Sequence, residues 1–143
     1  MTKNKSTPAI LLIEDNPGDI RLTQEAFREA EFDVRMYTAT DGMKAIDFLR
    51  DEASLCPNLV LLDLNLPRKD GFEVLEEIKA DPELEHLPVL VLTSSTARED
   101  VISSYEQHAN AYLTKPDSPG SFVELAQTIE EFWLERVRLP SYS

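Results

Sequence analysis

Three short runs of uninterrupted apolar residues, Ala9–Ile13, Leu59–Leu62 and Val89–Leu92, constrain this chain more than any other feature. Each is leucine-rich or β-branched and is bounded by polar or turn residues. A run with no polar position reads as a strand buried on both faces, and such strands belong to parallel sheets covered by helices on either side. Two weaker segments flank them in the pattern. Val34 and Met36 alternate with Arg35 and Tyr37, and Ala111–Leu113 is very short, so both read as edge strands.

Between the strands lie helical patterns with their own start signals. Asn16-Pro17 and Ser118-Pro119 each set a capping side chain before a proline at the first helical position, and Thr96-Ala97-Arg98-Glu99 matches a capping box. Ile20, Thr23, Phe27 and Ala30 share one helical face, as do Phe72, Leu75 and Ile78, and as do Phe122, Leu125, Ile129 and Phe132. The order is therefore strand and helix repeated five times. Strict alternation implies right-handed crossovers and an α/β fold, a doubly wound parallel five-stranded (βα)5 sheet. With the two weakest strands at the edges, the expected order is 2-1-3-4-5, that of flavodoxin-like folds.

The 143 residues favour one domain, and 42% hydrophobic residues supply its core without a metal or disulfide. Residues 9–136 are expected to form that domain, with loose tails at 1–8 and 137–143 and no output domain. A formal charge of −13 repels phosphate backbones and anionic lipid, which excludes non-specific nucleic-acid and membrane-surface binding from the expected functions. The same acidity suits both a high-salt cytoplasm and an ordinary one. The single Cys56 makes no internal disulfide and is expected as a buried thiol. No apolar signal-peptide core follows Lys3 and Lys5, and no run approaches about 18 apolar residues, so a cytoplasmic location is expected.

In an open parallel sheet, ligands bind beyond the carboxyl ends of the strands. Here those ends are polar: Glu14-Asp15 after the first, Asp63 after the third, Thr93-Ser94 at the fourth, and Lys115-Pro116 after the fifth. Three converging carboxylates repel, each pair by roughly 4 kcal/mol at about 4 Å and an effective dielectric near 20. A hard divalent ion with oxygen ligands compensates them, which points to Mg²⁺ or Mn²⁺. With a hydroxyl from Thr93 and the ammonium of Lys115 aimed at the same spot, Asp63 is suited to accept a phosphoryl group as an aspartyl phosphate.

The segments Ile-Glu14-Asp15-Asn-Pro-Gly-Asp, Leu-Leu-Asp63-Leu-Asn65-Leu-Pro, Leu-Thr93-Ser and Tyr112-Leu-Thr-Lys115-Pro116 together resemble the receiver domain of two-component response regulators. The resemblance runs from about Ala9 to Glu135. Within that family, "EDNPGDIRL", "LDLNLPRKDGFEVL" and "EEFWL" are most similar to small single-domain regulators related to cyanobacterial phytochrome response regulators. The resemblance implies that Asp63 is the phosphoacceptor and that Asp15 and Asp63 are side-chain metal ligands. It further implies that Glu14 acts mainly through water and that the backbone carbonyl of Asn65 completes the metal site. Thr93 and Tyr112 match the switch residues and Lys115 the phosphate-binding lysine. The peptide before Pro116 is expected to be cis, and Ser95 occupies the position that tunes dephosphorylation.

Such a chain is a signalling module and not an enzyme in the usual sense, although it assists its own phosphorylation and dephosphorylation. His86 and His108 follow no pocket strand, so the donor histidine is expected on another protein, a sensor histidine kinase of the phytochrome-like or another light- or redox-sensing class. The signal then leaves through a downstream protein target. Phe132, Trp133 and Leu134 place three large apolar residues in a row, more than one face buries. An outward contact there, with homodimerisation through the last helix, is the sharper expectation. A phosphate-independent adaptor of the same fold is the alternative. A haloacid-dehalogenase-like phosphatase is disfavoured, because its nucleophile follows the first strand within an Asp-x-Asp pattern.

Overall fold

The computed structural model describes residues 7–30, 33–51, 53 and 56–138. Among them the elements run β1 (Ala9–Ile13), α1 (Pro17–Glu29), β2 (Arg35–Ala39), α2 (Gly42–Arg50), β3 (Leu59–Leu62) and α3 (Gly71–Ala80). There follow β4 (Val89–Thr93), α4 (Arg98–Glu106), β5 (Ala111–Thr114) and α5 (Pro119–Ile129), which passes directly into a π-helical segment, Glu130–Arg136. Of the expected tails, residues 1–6 and 139–143 lie outside the described residues.

The strands form one parallel sheet in the order β2-β1-β3-β4-β5, as the strength of each apolar run predicts. β1, β3 and β4 are buried at every position, whereas β2 and β5 carry exposed and half-buried residues. Alternate side chains feed two cores. Leu11, Ile13, Val60, Leu62 and Val91 pack against Ala45 and Ile46 of α2 and Val74, Leu75 and Ile78 of α3. On the opposite face, Ile10, Leu12, Leu61 and Leu90 meet Ala26 and Phe27 of α1 and Phe122, Ala126 and Ile129 of α5. Both faces of the sheet are thus covered, and its carboxyl edge stays accessible to polar groups.

The helix starts follow local capping chemistry. Asn16 Oδ1 accepts the N–H of Asp19 at 3.0 Å and Ser118 Oγ that of Ser121 at 3.2 Å, each ahead of a proline in the first turn. Asp70 and Glu73 form a reciprocal capping box, with both bonds at 3.0 Å. The box expected at Thr96 does not form. α4 begins one residue later, with Ala97 as its cap, so Glu99 falls short of the third helical position. Ser95 replaces Thr96: its Oγ accepts the N–H of Ala97 at 3.2 Å and donates to Asp100 Oδ2 at 2.6 Å.

Three further expectations are corrected. Cys56 is exposed, one residue ahead of buried Pro57, where the chain turns inward toward β3. Phe132 leaves the face it was expected to share with Phe122 and Ile129 and is 52% exposed. The i→i+5 pattern of the π-helical segment shifts the helical register there, and Trp133 and Leu134 pack against the core instead. The peptide before Pro116 is trans, as are all others among the described residues.

Candidate functional site

Backbone pairing runs one residue past the end of three strands. The N–H of Glu14 donates to the carbonyl of Ala39 at 3.0 Å, that of Asp63 to Ile13 at 3.0 Å, and that of Lys115 to Thr93 at 2.8 Å. Sheet hydrogen bonds therefore position all three residues at its carboxyl edge, where their side chains meet. Lys115 Nζ lies 2.7 Å from Glu14 Oε1, 3.0 Å from Asp63 Oδ2 and 2.7 Å from Asp19 Oδ2. The remaining oxygen of Asp63 accepts the N–H of Asn65 at 3.2 Å, and Glu14 Oε2 accepts that of Asn16 at 3.1 Å.

Glycine sets how close the neighbouring backbone comes. A Cβ on Gly71 would stand 2.5 Å from the carbonyl oxygen of Asp63 and would also collide with Leu64 Cα, so only glycine lets α3 start against the loop that carries Asp63. The N–H of Gly71 donates to Leu64 at 2.9 Å and closes that loop.

The electrostatics follow from burial. Glu14 and Asp63 are 2% and 5% exposed. Burial pushes the Glu14 carboxyl up to about 7, helped by the charge of Asp63 and opposed by its hydrogen bond to Lys115. For Lys115, burial opposes the charge, but hydrogen bonds to Asp19, Glu14 and Asp63 outweigh it and hold the ammonium above the usual lysine range.

One carboxylate oxygen each from Glu14, Asp15 and Asp63 lies within 4.8 Å of the others. Lys115 alone does not neutralise that charge, and an all-oxygen donor set fits a hard divalent cation. Exposed Asp15 opens the cluster to solvent, and Asn65 follows Asp63 in the same loop. Thr93 is fully buried at the end of the neighbouring strand, and its Oγ1 makes no hydrogen bond among the described residues. An unmet buried hydroxyl costs about 1–3 kcal/mol, and this one fits a group that brings oxygen acceptors into the pocket. Among the described residues Tyr112 forms no hydrogen bond to the acidic cluster. Its hydroxyl donates to the carbonyl of Ser95 at 2.9 Å, and its N–H donates to the hydroxyl of Tyr105 at 3.2 Å.

Glu14, Asp15, Asp63 and Lys115 thus come together as the sequence implies, with Thr93 ending the adjacent strand. His86 and His108 are not part of the acidic cluster. Asp19 joins Glu14, Asp63 and Lys115 as well, although the sequence marks it only as part of the first turn of α1. The available signal was its place at the third position of α1, a turn whose side chains face back toward the preceding strand end.

The comparisons agree with this geometry. A family model described as the response regulator receiver domain matches residues 10–127. The chain is 49% identical over 136 residues to response regulator Rcp1 of Synechocystis sp., covering 92% of each. Among solved structures, the Mn²⁺-bound form of Rcp1 matches with a TM-score of 0.87 at 48% identity, over 94% of this chain and 99% of that one. The phosphorylated cyanobacterial phytochrome response regulator RcpA matches with a TM-score of 0.90 at 45% identity, over 95% of this chain and 100% of that one. Five parallel strands in receiver order, an acidic cluster at their carboxyl edge and a lysine reaching into it are therefore explained together: the chain belongs to the response regulator receiver domain family.

Proposed function

We propose that Asp63 is the phosphoacceptor of this response regulator and that it takes its phosphoryl group from the phosphohistidine of a sensor kinase. One observation carries the reading: Lys115 Nζ stands 3.0 Å from Asp63 Oδ2 inside a cluster of carboxylates suited to a divalent cation. In the step, a carboxylate oxygen of Asp63 forms a bond to phosphorus as the bond from phosphorus to the donor imidazole nitrogen breaks, and the imidazole leaves. Glu14, Asp15, Asp63 and the backbone carbonyl of Asn65 would hold Mg²⁺, or Mn²⁺ as in the metal-bound form of Rcp1. When bound, the cation supplies charge neutralisation at the transferring oxygens.

The chain's own groups do the rest. Lys115 donates to a phosphoryl oxygen from the place where it now donates to Asp63, and Thr93 turns its unmet hydroxyl to another. Movement of Thr93 draws on the β4–α4 loop, where Ser95 holds the hydroxyl of Tyr112, so Tyr112 is the second member of the switch. The altered loop surface then changes which protein the domain binds.

The likeness to a phosphorylated cyanobacterial phytochrome response regulator supports a phytochrome-like kinase as donor. None of the described helices is long and apolar enough to cross a membrane. Exposed Phe132 supports a contact between two copies through the last helix. The acidic charge of −13 supports a protein target and not a nucleic acid.

The test is intact mass after incubation with Mg²⁺ and acetyl phosphate, beside Asp63→Asn. A single hydroxylamine-labile phosphoryl adduct, absent from the variant, is expected. Folded protein that takes no phosphoryl group from acetyl phosphate or from a kinase would return the chain to a phosphate-independent adaptor role.

A further inference from the structure

We propose that Asp19 is a positioning residue for Lys115, the anchor that keeps its ammonium over the pocket while the other acidic partners are engaged elsewhere. The inference rests on the phosphoacceptor reading above and adds a residue that the reading does not use. Lys115 Nζ donates to Asp19 Oδ2 at 2.7 Å and to Asp63 Oδ2 at 3.0 Å and forms an ion pair with Glu14 Oε1 at 2.7 Å, so three carboxylates surround an ammonium with three N–H groups. Two of the three partners have a second commitment. Glu14 and Asp63 share the acidic cluster with Asp15, and Asp63 is also the acceptor, so each is drawn away from Lys115 as the site fills. Asp19 lies outside that cluster and keeps its carboxylate for the lysine.

Its position is well suited to the task. Asp19 stands in the first turn of α1, its N–H bound by Asn16 Oδ1 at 3.0 Å, where the helix dipole favours a negative charge. Its side chain is 29% exposed, at the outer side of the pocket, whereas that of Lys115 is 9% exposed. A flexible lysine tied at that point keeps one N–H directed inward. With the tie cut, the stem has more rotamers to search, and fewer of them reach the reacting oxygens.

The experiment measures the rate of adduct formation from acetyl phosphate at saturating Mg²⁺ for wild type, Asp19→Asn, Lys115→Ala and the double variant. Asp19→Asn is expected to slow uptake on the order of three- to tenfold, the coupling typical of side chains in one ion-pair network. In the Lys115→Ala background the same substitution is expected to change nothing, and Asp19→Glu is expected to restore part of the rate. Equal proportional losses in both backgrounds, or an unchanged rate in Asp19→Asn, would overturn the proposal. A wild type that forms no adduct would instead count against the phosphoacceptor reading. The anchor is then judged by NMR of the Lys115 ammonium with Mg²⁺ present. An exchange-protected signal lost in Asp19→Asn supports it, and identical spectra overturn it.

Discussion

The hydroxyl of Tyr112 on edge strand β5 donates to the carbonyl of Ser95 at 2.9 Å, tying that strand to the loop after β4. Ser95 in turn donates to Asp100 Oδ2 in α4, so one loop residue links the pocket edge, the edge strand and the next helix. Tyr112→Phe deletes one hydrogen bond and leaves the ring. It is expected to cost about 1 kcal/mol of stability, read as a lowered urea midpoint. Phosphoryl uptake should persist, because the Tyr112 hydroxyl contacts neither Asp63 nor Lys115. Loss of the adduct in this variant would place Tyr112 in the chemistry itself.

Burial raises the Glu14 carboxyl from its ordinary 4.5 to about 7, and this predicts a pH dependence whose sign is fixed. Between those values the folded protein binds more protons at Glu14 than the unfolded chain, so stability falls as pH rises through the window. The cost is absent below about 4.5 and complete above about 7, on the order of 1–3 kcal/mol. In chelator, the stability difference between wild type and Glu14→Gln should therefore change between pH 4.5 and 7. A constant difference across that range would show that Glu14 does not titrate there.

Divalent cation should stabilise the fold by relieving the repulsion among Glu14, Asp15 and Asp63. At a Mg²⁺ concentration 100 times its dissociation constant the gain is about 2.7 kcal/mol. Asp15→Asn removes the exposed carboxylate of the cluster and should abolish most of the Mg²⁺-dependent rise in melting temperature. A full rise in the variant would put the cation elsewhere.

Gly71→Ala should disturb the loop that carries Asp63. The added Cβ meets Leu64 Cα and the carbonyl oxygen of Asp63, both backbone atoms that yield only if the loop moves. A loss of about 1–3 kcal/mol is expected, together with slower phosphoryl uptake. Gly120→Ala is the control, since a Cβ there meets nothing within 4 Å and should leave both quantities near wild type. Equal behaviour of the two variants would remove Gly71 from the account of the site.

The strand order of this protein is legible in one dimension because an unbroken apolar run records burial on both faces of a strand. Ile10, Leu61 and Leu90 have no polar neighbours in their strands, so those strands had to be central, and Arg35 and Thr114 mark the edges. Strand order then follows, and with it the meeting of Glu14, Asp63, Thr93 and Lys115 at one sheet edge. What the pattern does not record is which partner a polar side chain selects. Asp19 and Lys115 are 96 residues apart, and their pairing depends on how α1 seats against the sheet and which rotamer the lysine takes. Ser95 displaced Thr96 at the start of α4 for the same reason, whereas Phe132 turned outward because the π-helical segment shifts the helical register. Strand identity and strand order are legible in the chain alone, because the hydrophobic effect acts on each unbroken apolar run where it stands. The polar partners are set only once the elements pack, because hydrogen bonds and ion pairs depend on sub-ångström placement of groups that no local repeat brings together.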